Sequence, residues 1–441
     1  MSGEGFAKHV GIETEFLIAQ RPHASIRQPR LSGDDRWPDS QTHKENYTEY
    51  NASLDTLMVC QAVANCGLPV ACDINHTEPQ DPLTTVHEGE LVGETKENGT
   101  AVTHMVNLED RDHPFCNTDP PCVLRVWNRK SAYESFPDPG IRFQHWFVGS
   151  EVIVGGNNDR PPTDHTWFGM EISSPVISDQ EEIDNGLPAL KKVFEALRNN
   201  ILIRLIPECG MHIHASPPSA SVSLPLLKRV VAVVRILEEP LIMGLCHPAR
   251  RLSSCVRAIG RESMLATKSR VEEKWTTSSA ESFIQALDGF RSKLENRLPD
   301  EPKVFRFLVL LYAASTITDL QRDLRYKSVG FQIASTSRCG IAVSGIGTVE
   351  FRYPQSTFDT EWATFWVKFV QKIFQICDQR DEPFSESFQR LYEMGTRQQA
   401  LDWESWLAEL DLSQYREVCH RYICGGESRS TPKILPKVGG K

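Results

Sequence analysis

No stretch of the sequence approaches the roughly 18 consecutive apolar residues that a membrane-spanning helix needs, so no membrane partner is expected. Met1-Ser2-Gly3-Glu4-Gly5-Phe6 lacks the basic segment and apolar run of a secretory signal, which sets the expectation of a cytoplasmic chain. Cys-x-x-Cys never occurs, and the 12 cysteines follow no framework spacing. Reduced thiols are the simpler reading of that pattern than a disulfide scaffold. Neither Gly-x-x-x-x-Gly-Lys nor Gly-x-Gly-x-x-Gly stands where a strand meets a helix. A nucleotide bound here would therefore have its phosphates held by metals and side chains, not by a glycine-rich loop. No Lys/Arg-rich stripe offsets the formal charge of −10, and no nucleic-acid partner is expected.

What the chain does have is length for a large core and a composition, 40% hydrophobic and 24% charged, that suits a globular enzyme. Its most informative phrase is Gly210-Met211-His212-Ile213-His214-Ala215-Ser216. Residues two apart on a strand share a face, so His212 and His214 stand together, with Met211, Ile213 and Ala215 opposite. Three further segments repeat this design with carboxylates. Gly11–Ile18 sets Glu13 and Glu15 against Ile12, Phe16 and Ile18; Trp167–Ser173 isolates Glu171 among apolar neighbours; Thr348–Tyr353 pairs Glu350 with Arg352 against Val349, Phe351 and Tyr353.

Each piece alone has a plain explanation. Glu-x-Glu ordinarily marks the solvated face of a half-buried sheet, and Glu-x-Arg a surface ion pair of little worth. Together they carry more. Four such strands in one sheet would gather Glu13, Glu15, Glu171 and Glu350 beside two imidazoles. Carboxylates held that close repel one another unless protonated or joined by a cation. Oxygen ligands with few sulfurs suit Mg²⁺, and an imidazole tilts the set toward Mn²⁺.

Along the chain, strand signals at about 8–19, 122–128, 143–154, 167–173, 209–216, 329–334 and 339–353 are separated irregularly by helical periodicity. The helices are expected at 54–65, 179–200 (ended or kinked near Pro188), 225–245, 281–297, 303–325, 359–380, 384–395 and 402–421. Irregular alternation favours α+β with a curved, largely antiparallel sheet over a doubly wound parallel one. The expected organisation is one domain over residues 1–400 with an acidic insertion at 73–121, a helical extension at 401–424 and a disordered tail at 425–441.

Taken in order, Gly11-Ile12-Glu13-Thr14-Glu15-Phe16, Gly169-Met170-Glu171-Ile172-Ser173-Ser174-Pro175-Val176, Cys209-Gly210-Met211-His212-Ile213-His214 and Gly347-Thr348-Val349-Glu350-Phe351-Arg352 resemble the amidoligase family common in fungi. Those proteins are carboxylate–amine ligases, distantly related to glutamine synthetase and glutamate–cysteine ligase. Trp146-Phe147-Val148-Gly149-Ser150-Glu151 resembles the family's Trp-x-Val-x-x-Asp strand, with Glu151 in the acidic place. The resemblance implies a glutamine synthetase-like fold with helices on one face of the sheet and the active site on its concave face. It also implies ATP, two divalent ions (Mg²⁺ or Mn²⁺), and an amide formed from small-molecule or peptide carboxylate and amine substrates through an acyl phosphate. Carried over by position, Glu13, Glu15, Glu171, His212 and Glu350 are the implied metal ligands, and His214 the implied neighbour of the nucleotide. Arg352, with Glu350, is the implied catalytic pair at the transferring phosphoryl group.

Arg250 and Arg251, at the end of a buried helix, are candidates to grip phosphate or a carboxylate; a solvated helix end is the plainer alternative. One departure stands out: the family's acidic residue and Gly before Thr-x-Asp are replaced by Gln355-Ser356. That leaves open a catalytically impaired metal- and nucleotide-binding protein on the same fold. A metal oxygenase with His-x-His on a strand is the rival chemistry, but no Glu follows the two histidines within a few residues.

Overall fold

β1 (His9–Gln20) follows its alternation: Val10, Ile12, Phe16 and Ile18 are buried in the main core, while Glu13 and Glu15 project from the other face. The computed structural model describes residues 9–20, 36, 56, 58–60, 62–74, 104–107, 123–128, 141–151, 166–217, 222–253, 255–270, 302–327, 336–345, 347–395, 401–423 and 433–438. The helix expected at 281–297 and the strand expected at 329–334 lie outside these residues.

β1 pairs antiparallel with β6 (Thr166–Ser173) on one side and β8 (Met211–Ser216) on the other. β8 pairs with β12 (Val349–Phe351), whose antiparallel neighbour β11 (Ile341–Val343) ends the sheet. Beyond β6 come β5 (Trp146–Ser150), β2 (Val70–Ile74), β4 (Val123–Asn128) and β3 (His104–Asn107). β2 runs parallel to β4 and β5; the other described pairings are antiparallel. The architecture is α+β with a mainly antiparallel sheet. A short ribbon of β9 (Arg325–Lys327) and β10 (Thr336–Arg338) stands apart from it.

One face of the sheet carries the helices. α1 (Gln180–Asp184) and α2 (Pro188–Asn200) are separated where Gly186 and Leu187 both take left-handed backbone, φ 79° and 58°. Leu187 is fully buried, so packing holds a conformation that costs a branched side chain about 1 kcal/mol or more. Pro188 thus opens a second helix at its first position, where its missing N–H is harmless. α3 (Leu224–Leu237), capped by Ser223, is buried along Leu227, Val230, Val231, Val234 and Leu237. Its continuation to Leu245 is not one regular helix: the turn widens at Glu238–Ile242, around Pro240, before Met243–Leu245 resumes. Short helices α4 (Pro248–Arg251) and α5 (Ile259–Glu262) follow.

The single helix expected at 303–325 is two, α6 (Pro302–Ala313) and α7 (Ile317–Asp323). Thr316 caps the second by accepting from the Asp319 N–H. α8 (Thr360–Cys377) begins at Asp359, whose carboxylate accepts from the Glu361 and Trp362 N–H groups. It buries Trp362, Phe365, Trp366, Phe369 and Phe374 between the sheet and the outer helices. α9 (Asp381–Gly395), α10 (Trp403–Glu409) and α11 (Arg416–Ile423) complete the layer, with a 3-10 turn dividing what reads in sequence as one helix at 402–421. No helix among the described residues is long and apolar enough to cross a membrane.

Two stretches add short strands to the sheet. The 73–121 segment, read as an insertion of short strands and loops, supplies the four-residue β3 at the end of the main sheet. The tail, read as disordered, contains β13 (Lys433–Ile434), which pairs with β7 (Ile203–Leu205) at the far end of β1. It is secured by Leu435 N–H to Ile203 O (2.8 Å), Arg198 Nε to Pro436 O (3.1 Å) and Arg36 Nη1 to Leu435 O (2.5 Å). Those bonds come from backbone groups and distant side chains, so the local sequence carries no periodic sign of them.

Candidate active site

Strand register assembles the site. Glu13 stands opposite His212 across β1 and β8, Glu15 opposite Glu171 across β1 and β6, and Glu350 opposite His214 across β12 and β8. Side chains directly opposite in antiparallel strands lie about 5 Å apart at Cβ. Segments separated by hundreds of residues are therefore brought to contact distance. All six project from the face opposite the helices. Just beyond them, Leu17, Ala19, Trp167, Leu202, Ile206 and Cys209 form a second apolar cluster.

Glu13 bridges the histidines, with Oε2 at 3.3 Å from His212 Nδ1 and Oε1 at 3.1 Å from His214 Nε2. His212 Nδ1 also lies 3.6 Å from Glu350 Oε1, and its Nε2 3.5 Å from Glu15 Oε1. Glu15 Oε2 accepts the Gly210 N–H at 2.6 Å. Glu350, fully buried, is ion-paired to Arg352 through Oε1 and to Arg338 through Oε2 at 2.8 Å. Arg352 Nη1 comes within 3.4 Å of His212 Nδ1. His214 Nδ1 meets Thr348 Oγ1 at 2.8 Å, and that hydroxyl meets Ser344 Oγ at 2.7 Å.

The electrostatics divide these carboxylates. Burial works to raise Glu13, but the His212 and His214 imidazoles beside it hold it well below the ordinary carboxylate range. Burial likewise opposes ionisation of Glu350, and Arg352, the two histidines and Arg338 overcome it, leaving this carboxyl lowered. Burial disfavours the His214 cation, yet Glu13 beside it raises the imidazole above its usual value. Glu171 goes the other way: burial, then the charges of Glu13, Glu15, Glu151 and Glu350, push it well above the ordinary range. The site is thus short of positive charge on its Glu171 side.

The residues fit divalent cations. His212 Nε2 and His214 Nε2 are buried and make no directed hydrogen bond, even with carboxylate oxygens nearby. Among the described residues, three groups have ligand atoms all within 4.8 Å of one another: Glu13, Glu171 and His212; Glu13, His214 and Glu350; Glu15, Glu151 and Glu171. None joins two histidines to one carboxylate, the donor set of many iron oxygenases.

Several residues were not read from sequence as part of this site. Glu151, which the resemblance matches to an acidic position without a metal role, joins Glu15 and Glu171. Thr348 shares a face with Glu350 and Arg352 by the two-residue period, a signal that was there to use. Arg338 left no sign, since its contact with Glu350 crosses from one sheet to another.

The Arg250–Arg251 pair has a different place from the one expected. Arg250 is fully buried, with Nη1 donating to Pro207 O (3.1 Å) and Glu208 O (2.5 Å) and Nη2 to Arg352 O (3.3 Å). Its guanidinium ties the loop before β8 to the end of β12, lying beside the cluster. Arg251 turns back on its own helix end, donating to Cys246 O (2.9 Å) and Gly244 O (2.7 Å). Neither is a free cation at a helix end.

A family model described as "putative amidoligase enzyme" matches residues 8–374, well over half of the chain. The chain belongs to the amidoligase family. That match spans β1 through most of α8 and so includes all the acidic and imidazole groups assembled above. No curated protein matches the chain. The family description suggests an amide-bond-forming ligase that uses nucleotide and metal, and the clustered carboxylates and imidazoles suit the metal part of that description.

Proposed function

We propose that this protein is an ATP- and divalent-metal-dependent ligase that joins a carboxylate to an amine or ammonia through an acyl phosphate. The observation that carries the reading is the gathering of Glu13, Glu15, Glu171, Glu350, His212 and His214 on one sheet face, with Arg352 among them. Strand curvature of the glutamine synthetase kind, with this face concave, belongs to the same reading.

Glu13, His214 and Glu350 would hold one cation, and Glu15, Glu151 and Glu171 a second, with His212 beside Glu13 and Glu15. When bound, such ions supply positive charge for the phosphates and a template for in-line attack. The protein groups have their own tasks. A carboxylate and a triphosphate repel, so a guanidinium beside them lowers the barrier to their approach. Arg352 would take this role, its ion pair with Glu350 holding the guanidinium in a fixed direction. Thr348, bonded to His214 Nδ1, fixes which ring nitrogen faces the cluster. An amide does not form readily from an amine and a carboxylate anion, because oxide is a poor leaving group. In the proposed route the carboxylate oxygen attacks the γ-phosphorus, ADP leaves, and the amine then displaces phosphate from the acyl carbon.

The test is ADP release with Mg²⁺ and a panel of carboxylates, with hydroxylamine added to intercept the acyl phosphate as a hydroxamate. The expected products are ADP and hydroxamate in parallel, with Arg352→Lys slowing hydroxamate formation at least tenfold while leaving nucleotide affinity nearly unchanged. Release of AMP and pyrophosphate would replace this route with adenylation. Failure of every acid to stimulate nucleotide cleavage would favour a binding protein.

A further inference from the structure

A cavity of about 700 Å³ has Arg250 in its lining and none of the six clustered carboxylates and imidazoles. That volume falls in the range of small-ligand sites, roughly 300–1,000 Å³. Arg250 belongs to both: it lines the cavity, and its Nη2 would come within 2.5 Å of a Cβ on Gly210, where His212 Nε2 and Glu15 Oε2 also converge. Phe194 and Phe358, with ring centroids 4.6 Å apart, give the cavity an apolar wall, extended by Leu205, Ile206 and Leu435.

Most charges on the lining are already engaged. Arg421 is paired with Glu361. Asp359 caps α8 and accepts from the Tyr422 hydroxyl at 3.0 Å. Arg198 Nε donates to Pro436 O. Lys191 and Glu195 differ: neither side chain makes a hydrogen bond or ion pair with a described residue, although Glu195 feels the charge of Arg198. They are one helical turn apart on α2, so both face the cavity as a cation and an anion about 6 Å apart at Cβ. Ser356 adds a buried hydroxyl with no hydrogen-bond partner in the same wall.

We propose that this cavity binds a zwitterionic amino acid or dipeptide with apolar side chains. Its carboxylate meets Lys191, its ammonium meets Glu195, and its side chain lies on Phe194 and Phe358. The lining suits this class because it sets a cation and an anion without side-chain partners, Lys191 and Glu195, beside an apolar wall. That the bound molecule is a substrate rests on the ligase reading above; the binding itself does not.

The test is calorimetric titration of the full chain with L-leucine, L-phenylalanine and leucyl-phenylalanine, each beside its amide and its N-acetyl form. The zwitterions should bind at least tenfold more tightly than either blocked form. Lys191→Met should weaken the zwitterion roughly tenfold and make it equal to its amide, and Glu195→Gln should make it equal to its N-acetyl form. Both positions are on an outer helix turn, so the Mn²⁺-induced rise in melting temperature should be unchanged in both variants. No binding by any of the three zwitterions, or variants that bind like the wild type, would overturn the proposal. If that happened while the Mn²⁺ response persisted, the ligase reading would stand and the cavity assignment alone would fall. Zwitterion binding without a Mn²⁺ response would leave the cavity assigned and remove the ligase.

Discussion

At Gly210 the absence of a side chain is a requirement of the site. A Cβ there would meet Arg250 Nη2 at 2.5 Å and His212 Nε2 at 2.7 Å. Neither can retreat cheaply, since Arg250 is held by three carbonyls and His212 is wedged among Glu13, Glu15 and Glu350. Gly210→Ala should therefore destabilise the protein by about 1–3 kcal/mol, the usual cost of overpacking, and weaken Mn²⁺ binding along with it. Urea denaturation with and without Mn²⁺ checks both; an Ala variant with unchanged stability would mean the Arg250 head is free to move. Glu171 should respond in the opposite direction. Its carboxyl is raised by burial and by four other carboxylates, so ionising it works against folding. Glu171→Gln keeps the shape and removes the charge, and in metal-free buffer at pH 8 it should raise stability by roughly 1–2 kcal/mol. The same variant should lose most of its Mn²⁺-induced stabilisation. A variant less stable than the wild type in chelator would show that Glu171 makes a favourable contact as an anion.

Among the elements, the widened turn at the end of α3 has a specific consequence. It places Glu238, fully buried, where Oε1 accepts from the Tyr353 hydroxyl (2.6 Å) and the Ile259 N–H (2.6 Å), and Oε2 from the Gly260 N–H (2.8 Å). One carboxylate thereby joins α3, the start of α5 and the residue after Arg352. Burial pushes this carboxyl up to about 7 from 4.5, against the pull of those three donors and of Arg235. The folded chain holds the proton more tightly than the unfolded one. The associated stability is full below about pH 4.5 and is lost as pH rises through about 7, on the order of 3 kcal/mol. Glu238→Gln cannot titrate, so chevron-free equilibrium melts between pH 5 and 8 should show a flatter stability profile than the wild type. Equal slopes would mean that the three donors outweigh burial. The elements also show what the sequence could disclose. β1, β6, β8 and β12 were legible because a two-residue alternation is local, and α8 because Asp359 and its aromatic face announce it. The division of α6 from α7 at Thr316 was not, since apolar periodicity continues on both sides of the break. β13 is two residues long and held by partners near residues 36 and 200, so no window of sequence contains its cause.

For the molecule as a whole, the site is made of contacts between segments that the chain alone keeps far apart. The residue types of the cluster could be read from sequence, but their order across the sheet could not, because register is fixed by long-range pairing. Glu151 and Arg338 entered the site only when β5 and the β9–β10 ribbon took their places. This arrangement makes a global prediction about cation binding. A cation held by Glu13, His214 and Glu350 touches β1, β8 and β12 together, and one held by Glu15, Glu151 and Glu171 adds β6 and the end of β5. Ligand binding stabilises the folded form by about 2.7 kcal/mol at a hundredfold excess over Kd, and that stability goes to whatever must open to release the ion. Local openings of any one of these strands would break the site, so all of them should gain protection at once. Hydrogen-exchange mass spectrometry with saturating Mn²⁺ should show slower exchange in peptides covering residues 9–20, 146–151, 166–173, 211–216 and 349–353. Peptides from α9 to α11, which supply no ligand, should exchange as before. Protection confined to one of the strands would place the cation on a single segment and separate it from the shared face. Protection spread evenly over helices and strands would report general stabilisation. Simultaneous slowing in the sheet segments alone is the pattern that a shared cation site requires.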